Sequence, residues 1–346
     1  MKIAIITDTH YGGRRGSKFF HDYFQQFYDN VFFPTLEERG IKHCVHMGDA
    51  FDNRKSIDYW SLDWAKKHVY DRFRDLDVKV WQLVGNHDAY YKNTNEVNSI
   101  DCLLDYYDNI VPISSPGDHD IDGFKAFMIP WICADNQEET ETKIKKSKSK
   151  IAFGHLEIHG FALYPGYTQP GGIDKSFFDK FNLVFSGHYH MRNDDGKIFY
   201  LGNPYQLYWS DYNDKRGFTI FDTETYELTK IDNPYEMFKI CYYDEDNVEE
   251  DLSAYEGCIV KLIVKNKTDH KKYEKFLDNL NKIEPYELKV IENIQINSDF
   301  DADEAVENED TLTLLKRYVD ESEIKLNKSR IKDLIQSIYK ESFQLQ

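Results

Sequence analysis

The sequence lacks paired cysteines, any apolar run of membrane-spanning length and a basic balance of charge. Its five cysteines, Cys44, Cys102, Cys133, Cys241 and Cys258, are odd in number and scattered, which excludes a secreted disulfide framework and a Cys-rich zinc site. A reducing cytoplasm is the expected location. The apolar start, Ile3 to Ile6, runs straight into Thr7-Asp8-Thr9-His10, too short for the core of a signal peptide, and no stretch approaches a membrane span. A soluble protein that is not exported and has no membrane contact is expected. The formal charge of −18 excludes a chain that grips DNA alone by neutralising phosphates, because such affinity comes from a basic surface. A nucleic-acid role must rest on bound cations, a partner or local patches. Arg14, Arg15 and Lys18, then Arg54 and Lys55, and the run Lys143 to Lys150 are such patches, although charge runs usually form solvated faces.

What is present is material for a packed core: 41% of the 346 residues are hydrophobic and 15% aromatic. A single core rarely grows past roughly 250–300 residues, so at least two structural units are expected. Short apolar runs recur with helical or turn-forming sequence between them: Ile3–Ile6, Cys44–Met47, Val78–Val84, Ile151–Phe153, Leu183–Phe185 and Ile198–Leu201. That alternation predicts an α/β fold. Ser17 is placed to cap a helix whose apolar face carries Phe20, Tyr23, Phe24, Phe27 and Val31, with Pro34 near its end.

The composition changes around Gly217–Asp222. Downstream, strands over Phe238–Tyr243, Cys258–Val264 and Leu288–Ile294 and a helix over Lys271–Leu280 predict a small α+β domain. The expected division is 1–222, 223–296, an acidic linker at 297–310, and a tail at 311–346. The linker, rich in Asp and Glu, reads as a self-repelling tether. Beyond it, Leu312, Leu315 and Val319 form one apolar stripe and Ile331, Leu334, Ile335 and Ile338 another. Two amphipathic helices on a tether either fold back on their own chain or dock on a partner helix.

Five clusters each follow an apolar run: Asp8-Thr9-His10, Gly48-Asp49-Ala50-Phe51-Asp52, Gly85-Asn86-His87-Asp88, Gly154-His155 and Gly187-His188-Tyr189-His190. Any one alone is more often structural, since Gly-Asp and Asn-His pairs serve turns. In open α/β sheets, however, ligand sites form at the carboxyl ends of strands, so the five would converge on one crevice. Together they supply carboxylate and amide oxygens and imidazole nitrogens but no thiolate, a set suited to octahedral Mn²⁺, Fe²⁺ or a similar ion. There are ligands enough for two cations, and a carboxylate between them, for which Asp49 is the candidate, bridges a pair about 3.5–4 Å apart.

This order of motifs resembles the calcineurin-like metallophosphoesterase superfamily, whose fold is a β-sandwich flanked by helices. The resemblance implies that Asp8, His10, Asp49 and His190 hold one metal and that Asp49, Asn86, His155 and His188 hold the other. His87 would face the scissile phosphate as a catalytic residue, stabilising charge or protonating the leaving oxygen. Asp52 would either fix the His87 tautomer or cap a helix, and Asp88 would cap the following segment or support the ligands from behind. Protein phosphatases of the superfamily resemble one another in an Arg-Gly pair and a Glu, where this chain has Asn53-Arg54 and Asp88.

The segments Ser186–His190, Leu201-Gly202-Asn203-Pro204, Trp209-Ser210-Asp211 and Lys215-Arg216-Gly217-Phe218 resemble the SbcD exonuclease family, related to the Mre-eleven nuclease. The whole chain is similar to phage recombination nuclease subunits of that kind, with a catalytic domain, a small cap domain and a helical tail. The resemblance implies a manganese-dependent DNase, with Mg²⁺ or Fe²⁺ as the other cations it admits, acting 3′-to-5′ on duplex ends and as an endonuclease on single strands. It implies a homodimer joined through helices between Ser56 and Phe73 and between Asn95 and Tyr107. The tail would dock on a coiled-coil ABC-type ATPase, and Arg14, Arg15, Arg54 and Asn203 would lie against DNA. Some family members carry His where this chain has Asp52, which alters the expected pairing with His87. Two rivals remain open: a stand-alone phosphodiesterase for small molecules, which fits the acidity, and a non-enzymatic scaffold that recruits the ATPase.

Overall fold

The computed structural model describes residues 1–164, 167–168 and 171–292, and positions 319, 328, 330–332 and 334. The described chain divides into two compact units. The first comprises Met1–Lys239, Tyr255–Val260 and Pro285–Glu287; the second holds Ile240–Ala254, Lys261–Glu284 and the described residues from Leu288 on.

Two six-stranded sheets form the first unit. One runs in the order Leu228–Asp232, Gly217–Asp222, Lys2–Ile6, His43–His46, Lys79–Leu83 and Ile110–Ile113. Its last four strands are parallel, and Gly217–Asp222 joins them antiparallel, with Ile3 opposite Phe221. The other runs Asn193–Asp194, Ile198–Tyr200, Leu183–Gly187, Ile151–His155, Phe124–Ile129 and Gly117–Ile121, parallel at the centre and antiparallel at both edges. Each of the six apolar runs contributes a strand, which gives the expected α/β architecture. The strands Ile110–Ile113 and Phe124–Ile129 come in addition.

The period of two along each strand divides the core. Ile3, Ile5, Val45, Met47, Trp81, Leu83 and Phe221 meet Met128, Ile151, Phe153 and Phe185 between the sheets. Ala4, Ile6, Cys44 and Val80 face the other way, against the helices of the first half of the chain. Phe127, Ile129, Ala152 and Val184 pack against Ile144, Phe161, Phe178 and Phe181 on the outer side of the second sheet. The result is a sandwich flanked by helices.

The helix Lys18–Phe27 buries Phe20, Tyr23, Phe24 and Phe27, each worth roughly 1.5–3 kcal/mol of transfer free energy. Ser17 stands at its N-cap without a side-chain hydrogen bond; instead its carbonyl accepts from His21 Nδ1 at 2.8 Å. A wider turn at Tyr28–Phe32 follows, and Pro34 opens a further helix, Phe33–Glu38. There its missing N–H costs nothing, so the helical path continues past the proline. Within the expected helical region 95–107, Thr94–Asn98 is a strand and only Ser99–Leu104 is helical.

A three-stranded sheet, Phe238–Asp244, Ile259–Asn266 and Glu287–Ile291, belongs largely to the second unit with helix His270–Lys282. Asp269 caps that helix, accepting from Lys271 N at 3.0 Å and Lys272 N at 3.1 Å. Tyr273 and Phe276 each bring their ring centroid 5.0 Å from that of Tyr243. The sequence change at Gly217–Asp222 falls on a strand that pairs onward to Leu228–Asp232, and the first unit runs to Lys239. The acidic segment 297–310 lies outside the described residues, as does the tail apart from the six positions named above, which are helical.

Candidate metal centre

Parallel pairing of Lys2–Ile6 with His43–His46 continues past the strand ends as a zipper between two loops. Asp8 N donates to Gly48 O at 3.0 Å, His10 N to Asp49 O at 3.1 Å and Tyr11 N to Ala50 O at 2.7 Å. This zipper sets Asp8 and His10 beside Asp49. The backbone is bent to do so: Asp8, His10, Asp49 and His188 all have positive φ, at 52°, 47°, 51° and 84°, a conformation that L residues adopt at a cost and that clusters at functional sites. Close approach is equally demanding. A Cβ on Gly85 would lie 2.2 Å from Asp49 Oδ1, and one on Gly187 2.0 Å from Thr7 Oγ1.

Three groups of ligand-type atoms result, Asp8 with His10 and His190, Asp49 with His155 and His188, and His10 with Asp52 and His87; the first two are those expected to hold cations. In the second, Asn86 Oδ1 lies 2.9 Å from His155 Nε2 and 2.8 Å from His188 Nδ1, and Asp49 Oδ2 is 3.3 Å from His155 Nε2. The same Asp49 oxygen is 4.0 Å from His10 Nε2 of the first group, where His10 Nε2 and His190 Nε2 are 3.1 Å apart. Asp49 therefore stands between the groups, with its Oδ1 accepting from His87 N at 2.7 Å.

The donor set fits divalent cations. His155 Nδ1 donates to Met47 O at 2.8 Å, which leaves its Nε2 lone pair facing the oxygens of Asn86 and Asp49. Acceptors crowded in this way repel one another unless positive charge sits among them. Burial opposes charge on His10 and His155, yet the surrounding carboxylates, Asp49 among them, raise both to about 9, so in the metal-free chain a proton on His155 Nε2 supplies the positive charge that a cation would supply in its place. Burial and the neighbouring His155 push His188 down to about 3, and burial with His10 holds His190 well below the usual range. Asp49 is buried, which favours its neutral form, but His155, His87 and His10 hold it well below the ordinary carboxylate value.

His87 is half-buried, with its ring 5.0 Å from that of His10. Its Nδ1 lies 2.5 Å from the main-chain carbonyl of Asp52, so the backbone selects the tautomer and leaves Nε2 free. The Asp52 carboxylate lies 3.3 Å from His10 Nδ1, and His10, Asp52 and His87 bring one ligand-type atom each within 4.8 Å of one another. Asp52 thus bonds His87 through its carbonyl, in place of the expected side-chain pairing, and pairs with His10 through its carboxylate.

Asp88 does more than cap. Fully buried, it accepts from Gly85 N at 2.9 Å, Ala50 N at 3.1 Å, Phe51 N at 3.1 Å and Ser99 Oγ at 3.2 Å, tying the loop of Asp49 to the loop of Asn86 and His87. Sequence reasoning missed His46, also fully buried. Its Nδ1 accepts from Gly48 N at 3.3 Å and its Nε2 pairs with Thr9 Oγ1 at 3.0 Å, which in turn donates to Ala50 O at 3.2 Å. No motif signals this residue.

The residues expected to touch DNA divide. Arg14 donates to Leu207 O through Nε at 3.0 Å and Nη2 at 2.8 Å, and its guanidinium lies 4.7 Å above the Tyr208 ring; it holds the loop together. Arg15 is exposed. Arg54 is half-buried, and its Nη1 has no hydrogen-bond partner among the described residues. Asn203 is fully buried and accepts from Arg216 through Oδ1, which corrects the expectation of a direct contact with DNA.

A model of the calcineurin-like phosphoesterase family matches residues 1–192. Exonuclease subunit 1 of Enterobacteria phage T4 is 31% identical over 283 residues, covering 82% of this chain and 82% of that protein. The SbcD component of the SbcCD nuclease of Staphylococcus saprophyticus is 22% identical over 227 residues, 63% of this chain and 54% of its own length. Among solved structures, an archaeal phosphodiesterase matches 67% of this chain and 100% of its own at 16% identity, with a TM-score of 0.35.

Proposed function

Because the chain belongs to the calcineurin-like phosphoesterase family, we propose that it is a metal-dependent DNA nuclease and the nuclease subunit of a recombination and double-strand-break processing complex. The observation that carries this reading is the Asp49 carboxylate standing between two groups of ligand atoms, with the free edge of His87 beside them. The likeness to the phage exonuclease subunit over most of both chains supports DNA as the substrate.

In this reading Asp8, His10, Asp49 and His190 hold one divalent cation and Asp49, Asn86, His155 and His188 hold the other, with Mn²⁺ best suited to the mixed oxygen and imidazole set. Bound there, two such ions would supply positive charge against the phosphate and lower the pKa of a water. Asp49, between the two groups, would contribute to both positions. His155 is turned to the site by its Nδ1–H bond to Met47 O, a common way to orient a ligand imidazole. His87, held through Nδ1 by the Asp52 carbonyl, presents Nε2 to stabilise charge on the phosphate or to protonate the departing oxygen. Asp52 orients His10, and the half-buried Arg54 is the candidate contact to a phosphate.

The activity proposed is 3′-to-5′ exonuclease action on duplex ends and endonuclease action on single strands. The second unit, Ile240–Ala254 with Lys261–Glu284, is the cap domain, narrower than the expected 223–296, and beyond the tether a tail (311–346) docks on a coiled-coil ABC-type ATPase. The exposed aromatics Tyr59 and Trp60 on the helix Tyr59–Ala65, and Tyr106 in the turn after Ser99–Leu104, support homodimer contacts. Among the described residues no helix is long and apolar enough to cross a membrane.

The test is nucleotide release from an end-labelled duplex with Mn²⁺, Mg²⁺ or EDTA, beside a small phosphodiester. Mn²⁺-dependent release from DNA is expected. Inactivity on DNA with rapid turnover of the small diester would move the assignment to a small-molecule phosphodiesterase.

A further inference from the structure

Arg216 is only 4% exposed and has no part in the chemistry above. A buried guanidinium is tolerated when its charge is balanced and most of its donors are used; of the Arg216 nitrogens, Nε is without a hydrogen-bond partner among the described residues. Asp214 and Asp211 supply the charge, 2.9 Å and 3.2 Å from Nη2. Nη1 donates to the main-chain carbonyl of His190 and to Asn203 Oδ1. The same carbonyl accepts from Asn203 N at 3.2 Å, so the peptide after the His190 imidazole is held from two sides. Asp211 is anchored in turn, its Oδ2 accepting from Leu207 N at 2.7 Å and Tyr208 N at 3.1 Å. Arg216, Asp211 and Ser210 line, together with His188 and His190, a cavity of about 160 Å³.

We propose that Arg216 is a positioning residue of the metal centre, fixing the His190 imidazole through the His190 carbonyl and Asn203 and thereby setting the affinity of one cation position and not the other. The inference rests on the assignment of His190 to the Asp8–His10 group. No other ligand main chain is bonded to Arg216 among the described residues: His188 N donates to Asp8, at 3.1 Å to each carboxylate oxygen, and His155 is held by Met47. Loosening the His190 peptide therefore disturbs one group selectively. Partners that orient a ligand from behind typically change metal affinity 10- to 100-fold.

The experiment is Mn²⁺ calorimetry on the full chain, with thermal unfolding of the same samples, for the parent, Arg216→Gln, Arg216→Lys and His190→Gln. Lysine keeps a positive charge for Asp211 and Asp214 but cannot fork to the carbonyl and the amide together, so it guards against failure of the glutamine variant to fold. The expected result is a 10- to 100-fold weakening of one ion, the same one that His190→Gln weakens, with the other within about threefold of the parent. Combining Arg216→Lys with His190→Gln should add little, as for two residues acting through one ligand. Equal weakening of both ions along with the thermal midpoint would make Arg216 merely structural and overturn the proposal, as would unchanged binding. A parent that binds fewer than two ions would instead overturn the two-cation reading on which it rests.

Discussion

Asp88→Ala should be among the most damaging single substitutions in the first unit. The Asp88 carboxylate is fully buried and serves three main-chain N–H groups, of Gly85, Ala50 and Phe51, besides the Ser99 hydroxyl. Each buried donor left without an acceptor costs about 1–3 kcal/mol. Burial already penalises this carboxylate, and with the nearby Asp49 charge it raises the pKa, so removing it recovers part of the loss. A net cost of about 3–5 kcal/mol is expected, a large share of the roughly 5–15 kcal/mol of a typical domain. Asp88→Asn keeps Oδ1 for Ala50 and Phe51 and gives up the Oδ2 bond to Gly85, so it should cost about 1–2 kcal/mol. Urea unfolding followed by tryptophan fluorescence suits the question, because all five tryptophans, at 60, 64, 81, 131 and 209, lie in the first unit. An alanine variant within about 1 kcal/mol of the parent, or an asparagine variant equally damaged, would refute the reasoning.

His46→Gln should flatten the pH dependence of stability in metal-free protein. Burial holds the His46 pKa down to about 3 against 6.5 for the free side chain, so its contribution is intact above about pH 6.5 and declines as pH falls, by about 2 kcal/mol at pH 5; equal slopes for parent and variant in urea titrations at pH 7 and 5 would count against this. His87→Gln should cut DNA cleavage by about 10²–10⁴-fold with Mn²⁺ binding unchanged, and lost binding would mean that His87 is a ligand. Gly187→Ala would bring a methyl 2.0 Å from Thr7 Oγ1 and 2.9 Å from Asp8 Oδ2; displacement of Asp8 should weaken Mn²⁺ binding at least about tenfold, and parent-like calorimetry would show that the loop yields instead.

The sandwich was legible because its central strands are buried on both faces and read as continuous apolar runs, as at Ile3–Ile6 and Leu183–Phe185. The convergence of Asp8, His10, Asp49, Asn86, His155, His188 and His190 was legible because each follows such a run. Direction of side chains was not. Asp52 sits three residues after Asp49, and nothing in that spacing tells whether its carboxylate or its carbonyl meets His87; the loop geometry gives the carbonyl to His87 and the carboxylate to His10. Arg14 and Asn203 are polar residues near the site in sequence, but one is spent on Leu207 O and the other is buried under Arg216. Burial of polar groups in loops depends on partners distant in the chain, which is also why His46 carries no local signature and why the motifs that hold Asp88 and Arg216 do not reveal their partners. Pro34 misleads for a different reason, since the wide turn at Tyr28–Phe32 restarts the helix and puts the proline in a first turn where it is tolerated.

In the proposed function Asp49 joins two cation positions whose joint occupancy supports phosphodiester cleavage. The most direct measurement is Mn²⁺ stoichiometry, by calorimetry and electron paramagnetic resonance, on the parent and Asp49→Asn, with nucleotide release from duplex DNA followed on the same samples. Two spin-coupled ions per parent chain are predicted, with both the coupling and DNA cleavage lost in the variant. A single ion per parent chain, or cleavage that survives in Asp49→Asn, would contradict it.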